Sequence, residues 1–82
     1  MDQVARTSKQ LGAIIRRARK SAGLSQATLG EKAGIWQETV SKIETGQGST
    51  KVDTILDILA ALQLEIEVKR RSKVSKSFED IF

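Results

Sequence analysis

The sequence predicts an all-α domain of four helices followed by one C-terminal β-strand. Two observations predict it. Apolar residues recur at helical spacing between residues 8 and 62, in stretches bounded by capping residues and glycines, and the apolar period changes to two after residue 63. The 82 residues allow one domain. A domain of this size buries a smaller fraction of its surface than a large one, so a second subunit would add stability.

The first two helices are marked by their caps. Thr7 and Gln10 stand at the spacing of a capping box ahead of a helix predicted over residues 8–22. Ser25 is a natural N-cap for a short second helix, and Gly34 ends that helix because glycine readily adopts the left-handed conformation.

The third helix is predicted over residues 36–45 and the fourth over residues 51–62. Gly46 ends the third helix in the same way as the second. Thr50 and Asp53 form another capping-box pattern, so we expect Thr50 to cap the fourth helix.

Residues 63–71 carry the two-residue repeat of a half-buried strand, in which charged residues alternate with Leu64, Ile66 and Val68. One strand cannot satisfy its own backbone groups, and the chain offers no second convincing strand. We therefore expect an intermolecular sheet in a homodimer, with those three apolar residues at the dimer interface. A frayed extension of the fourth helix is the alternative.

The chain divides into an N-terminal arm at residues 1–7, the helical domain at 8–62, the dimerisation strand at 63–71 and a flexible tail at 72–82. The sequence contains no internal repeat. The tail is rich in serine and lysine, and its apolar residues either dock into a partner or belong to a plain disordered end: Phe78, Ile81 and Phe82.

Composition excludes several classes of function. The chain has no cysteine and no histidine, which removes disulfides, thiolate metal sites, Cys or His nucleophiles and imidazole general bases. Glu65 and Glu67 are the nearest thing to a carboxylate pair, but on a strand they share an exposed face without an acid or a nucleophile. We expect no enzymatic reaction, no cofactor and no metal. The N-terminal residues lack a secretory segment and the apolar stretches are too short to span a bilayer, so we expect a cytoplasmic protein without a membrane partner.

The charge pattern indicates a polyanionic partner. The formal net charge is +4, and every charged residue between Arg6 and Lys20, and again between Lys69 and Lys76, is basic. Basic surface attracts phosphate. The alternative is that these zones are solvated faces without a partner.

Residues 26–45 have the pattern of two short helices that cross at a steep angle. Gly30 permits close approach of the helices and Gly34 takes the turn, while a shared core is predicted for Leu29, Ile35, Val40 and Ile43. The polar side chains left on the outer face are Gln37, Glu38, Ser41 and Lys42. Such a face fits the DNA major groove, where glutamine pairs with adenine and lysine with guanine.

The longer pattern resembles the Xre/Cro family of phage and bacterial repressors. It consists of Leu24-Ser25-Gln26, Leu29, Ala33-Gly34-Ile35, Thr39-Val40-Ser41-Lys42-Ile43-Glu44 and Gly46, within about residues 10–62. The resemblance implies a lambda-repressor-like helix-turn-helix domain. A four-helix domain followed by a strand is more narrowly similar to the HipB-type antitoxins, which implies a homodimer that binds a palindromic operator in double-stranded DNA, represses its own operon and neutralises a HipA-type kinase toxin.

The resemblance also implies roles for individual residues. The base-reading positions are Gln37, Glu38, Ser41 and Lys42. The phosphate-contacting positions are Ser25, Gln26, Thr39, Thr45, Lys51 and, in a secondary role, Arg19, which is first of all expected to form an interhelical ion pair with Glu44. Trp36 departs from the family, which usually has a small capping residue there. As a separate hypothesis, its indole N–H donates to a phosphate or its ring meets a thymine methyl; the alternative is that it packs beside the turn at Gly34.

Three other functions remain as alternatives. A stand-alone phage-like or chromosomal repressor would have no kinase-like gene beside its own. A protein-binding adaptor would retain the fold without DNA affinity, which the outward polar residues and the basic first helix argue against. An enzyme is the least supported of the three.

Overall fold

Residues 3–71, which the computed structural model describes, form four helices. They are α1 (Ser8–Ser21), α2 (Gln26–Ala33), α3 (Gln37–Thr45) and α4 (Val52–Ala61). Each helix end lies within one residue of its predicted position. The tail at 72–82 lies outside the described residues, and so does its predicted docking through Phe78, Ile81 and Phe82.

The caps of the first three helices confirm most of the predicted capping chemistry. The Thr7 hydroxyl oxygen accepts a hydrogen bond from the backbone N–H of Gln10 at 3.0 Å, and Ser25 accepts one from the N–H three residues further on, also at 3.0 Å. Gly34 and Gly46 end α2 and α3 with φ of 74° and 75°. These positive values suit glycine, which has no Cβ to oppose them.

The start of α4 corrects one prediction. The helix begins at Val52 with Lys51 at the N-cap, and no side chain accepts a hydrogen bond from its first turn. Because the helix starts one residue later than predicted, Thr50 stands outside the cap position, and the Thr50–Asp53 capping box is wrong. Asp53 still lies in the first turn, where its negative charge favours the helix N-terminus.

One hydrophobic core joins all four helices. Its buried apolar side chains are Ile15, Leu29, Val40, Ile43, Ile58 and Leu59. Burying each of these side chains contributes about 1.5–3 kcal/mol to folding. The predicted core residues Leu29, Val40 and Ile43 belong to this set, and Ile35 packs against it half-buried.

Close backbone contact between α1 and α3 depends on Gly12, a requirement that the sequence pattern did not reveal. A Cβ built at Gly12 would lie 2.7 Å from the carbonyl oxygen of Glu44. Real Cβ atoms do not approach backbone that closely. The two helices therefore pack at a distance that only glycine allows at this position.

Residues 63–71, after α4, form no paired strand, and no strand occurs elsewhere in residues 3–71. Gln63 adopts a left-handed conformation with φ of 58°, and the Leu64 N–H donates to the Leu59 carbonyl at 2.7 Å, which ends the helix. A frayed extension of α4 is therefore wrong. Because a strand is held by a partner's backbone, the intermolecular sheet stays a prediction.

The three predicted interface residues differ in burial. Leu64 packs against the core of its own subunit, whereas Ile66 and Val68 are 50% and 92% exposed. Of the three, Ile66 and Val68 are the residues that a second subunit could cover.

Candidate nucleic-acid interface

The turn between α2 and α3 is short and tightly held. The Ile35 N–H donates to the Gly30 carbonyl at 2.9 Å, immediately after the left-handed turn at Gly34. A Cβ at Gly30 would lie 2.7 Å from the carbonyl oxygen of Ile35. This confirms the prediction that the close approach requires glycine at this position. The packing fixes the direction in which α3 leaves the turn.

One side of α3 is buried and the other faces solvent. The buried side presents Val40, Ile43 and Glu44. Side chains three and four residues apart share a helix face, so the predicted base-reading residues form one polar strip. We call this set the α3 strip: Gln37, Glu38 and Lys42, which are exposed, and Ser41, which is half-buried.

Trp36 precedes the α3 strip as the N-cap of the helix. Its side chain makes no capping hydrogen bond, and the residue is 79% exposed. Such high exposure does not fit the expectation that Trp36 packs beside the turn at Gly34. A large, uncovered aromatic ring at the start of α3 is instead placed where it can meet another molecule.

The remaining predicted phosphate contacts differ in how free their polar groups are. Lys51 is exposed, and Thr39 is half-buried. The Ser25 hydroxyl is engaged locally, since it caps α2 and donates to Oγ1 of Thr28 at 2.9 Å. The exposed Thr45 donates its hydroxyl to backbone carbonyls one turn earlier, at 3.1 Å.

Arg19 and Glu44 form the predicted ion pair in the interior. Nε of Arg19 lies 2.6 Å from Oε2 of Glu44, and its Nη2 donates to Oε1 at 3.1 Å. The third guanidinium nitrogen, Nη1, donates to the Leu24 carbonyl at 2.8 Å. The hydrogen bond to Glu44 and that residue's negative charge raise the pKa of Arg19 against the opposing effect of burial. Only 9% of the Arg19 side chain is exposed. The residue therefore has a structural role, and its position does not favour the secondary contact with phosphate.

Sequence reasoning missed the partner of Gln26. This residue opens α2 and is half-buried, and its Nε2 donates to Oε1 of Glu44 at 3.1 Å. The two residues are 18 positions apart, so no local pattern could have revealed the contact. The glutamine at the predicted phosphate site is thereby tied to the buried ion pair.

The structure also brings Arg6, the first residue of one basic zone, close to residues 69–71, the described part of the other. Residues 3–6 and 67–71 line a cleft of about 400 Å³, to which the basic side chains Arg6, Lys69, Arg70 and Arg71 contribute. Nη2 of Arg17 donates to Oε1 of Gln3 at 2.9 Å, which ties the arm to α1. Charge clustered in this way adds to attraction for a polyanion.

Two other kinds of feature are absent from residues 3–71. No helix within residues 3–71 has the length and apolar character needed to cross a bilayer. Across that range, no three side chains of the types that ligate metals come together as a group.

Comparison with known proteins identifies the family. Residues 15–69 match HTH_3, a helix-turn-helix family. The fold is similar to that of the restriction-modification controller protein C.AhdI from Aeromonas hydrophila, with 33% identity, a TM-score of 0.67, and coverage of 71% of this chain and 84% of that one. No curated protein sequence matches the chain.

HipB structures are similar over more of the chain. A complex of a HipB variant with the O2 20mer shows 29% identity and a TM-score of 0.80 over 88% of this chain and 100% of that one. The HipA-HipB-O2-O3 complex gives 28% identity and a TM-score of 0.78 over 87% and 100%. The chain belongs to the HTH_3 helix-turn-helix family, of the Xre/Cro type, and has the fold of a DNA-binding regulator. The resemblance seen in the sequence is confirmed.

Proposed function

We propose that this protein is a sequence-specific transcriptional repressor that binds a palindromic operator as a homodimer and serves as the antitoxin of a HipBA-type toxin-antitoxin module. The observation that carries the proposal is the α3 strip, which presents four polar side chains on a helix whose opposite side is packed into the core. Base recognition requires side chains held on a rigid element at the depth of the major groove.

The chemistry of the α3 strip suits base edges. Gln37 offers a donor and an acceptor to adenine, and Lys42 donates to guanine. Ser41 can serve either kind of base, and Glu38 can accept from the cytosine amino group. With one acid and one base the strip is formally neutral, so attraction to the phosphates has to come from residues around it, among them the exposed Lys51.

Exposed apolar residues after α4 support the proposed dimer. Ile66 and Val68 are uncovered in the single chain, and pairing of two copies of this segment would satisfy their backbone groups as well as bury their side chains. A two-fold dimer would place two copies of α3 about 34 Å apart, one turn of the duplex.

The antitoxin role is supported by the likeness to HipB over nearly the whole described chain, including HipB in complex with HipA. A stand-alone regulator is the second candidate, and the likeness to a restriction-modification controller protein at 33% identity favours it. The two share DNA binding and differ in the protein partner.

Hydroxyl-radical footprinting of the full chain on the DNA upstream of its own gene tests repression. We expect two protected patches, related by a two-fold axis and separated by one helical turn. The matched variant Gln37→Ala with Lys42→Ala should lose this pattern while retaining its helical circular dichroism. A wild-type chain that protects no segment at low salt would contradict DNA binding and favour the adaptor.

Co-expression with a kinase-like protein encoded beside its gene tests the antitoxin role. A stable complex, and rescue of growth that the kinase alone prevents, would support an antitoxin. An operator footprint combined with no such gene and no such complex would identify a stand-alone repressor.

A further inference from the structure

A chain of hydrogen bonds crosses three helices and reaches the predicted DNA surface at Gln26. It begins at Arg19 on α1, passes through the carboxylate of Glu44 on α3 and ends at the amide of Gln26 on α2. The first two members are buried and the last is half-buried. This series of hydrogen bonds therefore runs from the interior to the edge of the molecule.

The carboxylate dictates which way the Gln26 amide points. An ionised carboxylate only accepts hydrogen bonds, so the amide nitrogen of Gln26 has to face Glu44. Nε2 carries two N–H groups, and the 3.1 Å contact with Oε1 uses one of them. The other N–H makes no hydrogen bond within residues 3–71, so it remains for a further acceptor.

The position of Glu44 is itself fixed by Arg19. Both carboxylate oxygens accept from the guanidinium, and 1% of the Glu44 side chain is exposed. The arginine also balances the negative charge, which would otherwise repel a phosphate beside Gln26. Glu44 can therefore hold the Gln26 amide close to a DNA phosphate without repelling that phosphate.

Backbone donors at the start of α2 complement the amide. The Ser25 hydroxyl accepts from the Thr28 N–H, and the Ser25 carbonyl accepts from the Leu29 N–H. Within residues 3–71 the N–H groups of Gln26 and Ala27 have no such partner, as is usual in a first helical turn. Two backbone N–H groups and one side-chain N–H therefore lie at the same helix end.

We propose that Glu44 is a positioning residue for DNA binding, because its arginine-held carboxylate orients the Gln26 amide to donate to a backbone phosphate. This inference rests on the proposed function and adds to it a role for the buried ion pair beyond stability. Without Glu44, the amide is free to rotate and present its carbonyl oxygen to the phosphate, which is a repulsive contact.

The test uses operator duplexes, defined by the footprint, in which single phosphates are replaced by neutral methylphosphonates. Removing the charge at the phosphate that Gln26 contacts should weaken wild-type binding roughly tenfold, the worth of a hydrogen bond to a charged group. Gln26→Met and Glu44→Asp should bind natural DNA more weakly and should both be less sensitive than wild type to that one replacement, because only the backbone N–H groups of Gln26 and Ala27 remain to contact the phosphate. Glu44→Asp keeps a negative charge beside Arg19 and shortens the side chain that reaches Gln26. Ser41→Ala, a change on the α3 strip, should remain sensitive.

A Glu44→Asp variant that is as sensitive as wild type at that phosphate would overturn the proposal and leave DNA binding itself intact. A wild-type chain without an operator footprint would instead refute the proposed function. The two failures are distinguishable.

A measurement on the wild-type chain covers the case in which Glu44→Asp does not fold. The ¹⁵N relaxation of the Gln26 side-chain amide in the DNA-free protein should give an order parameter close to that of rigid backbone, about 0.85. The exposed Gln47 in the loop after α3 is the control and should be well below that value. Equal mobility of the two amides would overturn the positioning role.

Discussion

Nε of Arg19 lies 2.6 Å from Oε2 of Glu44, and this contact fastens α1 to α3 inside the molecule. Both side chains are almost completely removed from solvent, with 9% and 1% exposed. The same carboxylate also accepts from Gln26 on α2, so one buried acid connects three helices. The carboxylate that holds the helices together is therefore the same group that we propose positions Gln26 for DNA binding.

We expect Glu44→Ala to lower the free energy of unfolding by about 3–5 kcal/mol, because it leaves a buried guanidinium without its partner. The double variant Arg19→Met with Glu44→Leu should lie close to wild type, since no unpaired charge remains. Urea unfolding followed by circular dichroism measures both. A single variant that loses less than about 1 kcal/mol would show that the pair behaves like a surface pair.

The raised pKa of Arg19 determines the pH range in which its ion pair with Glu44 stabilises the protein. A group whose pKa is higher in the folded state contributes stability that is fully present below the unfolded pKa and is lost only as the pH rises through the folded value. The stabilisation from Arg19 should therefore be constant from neutral to mildly alkaline pH, which urea unfolding over that interval would check.

Gly12→Ala should destabilise the protein, because the new methyl group would press against the backbone of α3. Overpacking of this kind costs about 1–3 kcal/mol. For a domain of this size we expect a fall in Tm of about 4–8 °C for each kcal/mol. Ser21→Ala, at the exposed end of the same helix, is the control. An unchanged Tm for Gly12→Ala would mean that α1 and α3 can separate without cost.

Trp36→Ser should stabilise the chain and weaken operator binding. A serine at the N-cap supplies the hydrogen bond that α3 lacks, worth about 0.5–2 kcal/mol, while the exposed indole is removed. Thermal unfolding and operator titration separate the two effects. Because Trp36 is the single tryptophan, its fluorescence in the wild-type chain should also change on adding operator DNA. Full affinity in the serine variant would rule out a DNA contact.

Base-reading and phosphate-contacting residues should respond differently to substitution. Gln37→Ala should cost about 1–3 kcal/mol on the operator and relax specificity at one base position. Lys51→Ala should weaken binding to operator and unrelated duplexes alike, and reduce the slope of log affinity against log salt by about one. Titrations on both duplexes at several salt concentrations measure this, and matching profiles for the two variants would contradict the assignment.

Val68→Asp should prevent dimerisation, because it places a charge at the most exposed apolar position between α4 and residue 71. Sedimentation should then show a folded monomer, and the two-fold footprint should disappear. Leu56→Asp on α4 is the matched control, since that residue is also apolar and 43% exposed. Dissociation by the Leu56 variant alone would locate the interface on α4.

Local chemistry made much of the fold predictable. The helices, the caps at Thr7 and Ser25 and the left-handed glycines at Gly34 and Gly46 depend on residues a few positions apart. The position of the α3 strip follows from helical periodicity in the same way. The Thr50 cap failed because a shift of one residue, which periodicity does not resolve, moved it out of the capping position.

The sequence by itself determined four helices, a helix-turn-helix unit and the polar residues on its outer face, since spacing along one chain specifies all three. Only the tertiary structure decided that Gly12 must be glycine, that Trp36 is open to solvent and that Glu44, the predicted partner of Arg19, also holds Gln26. These relationships join residues on different helices, or depend on what neighbouring elements leave uncovered. They arise from the way the helices pack.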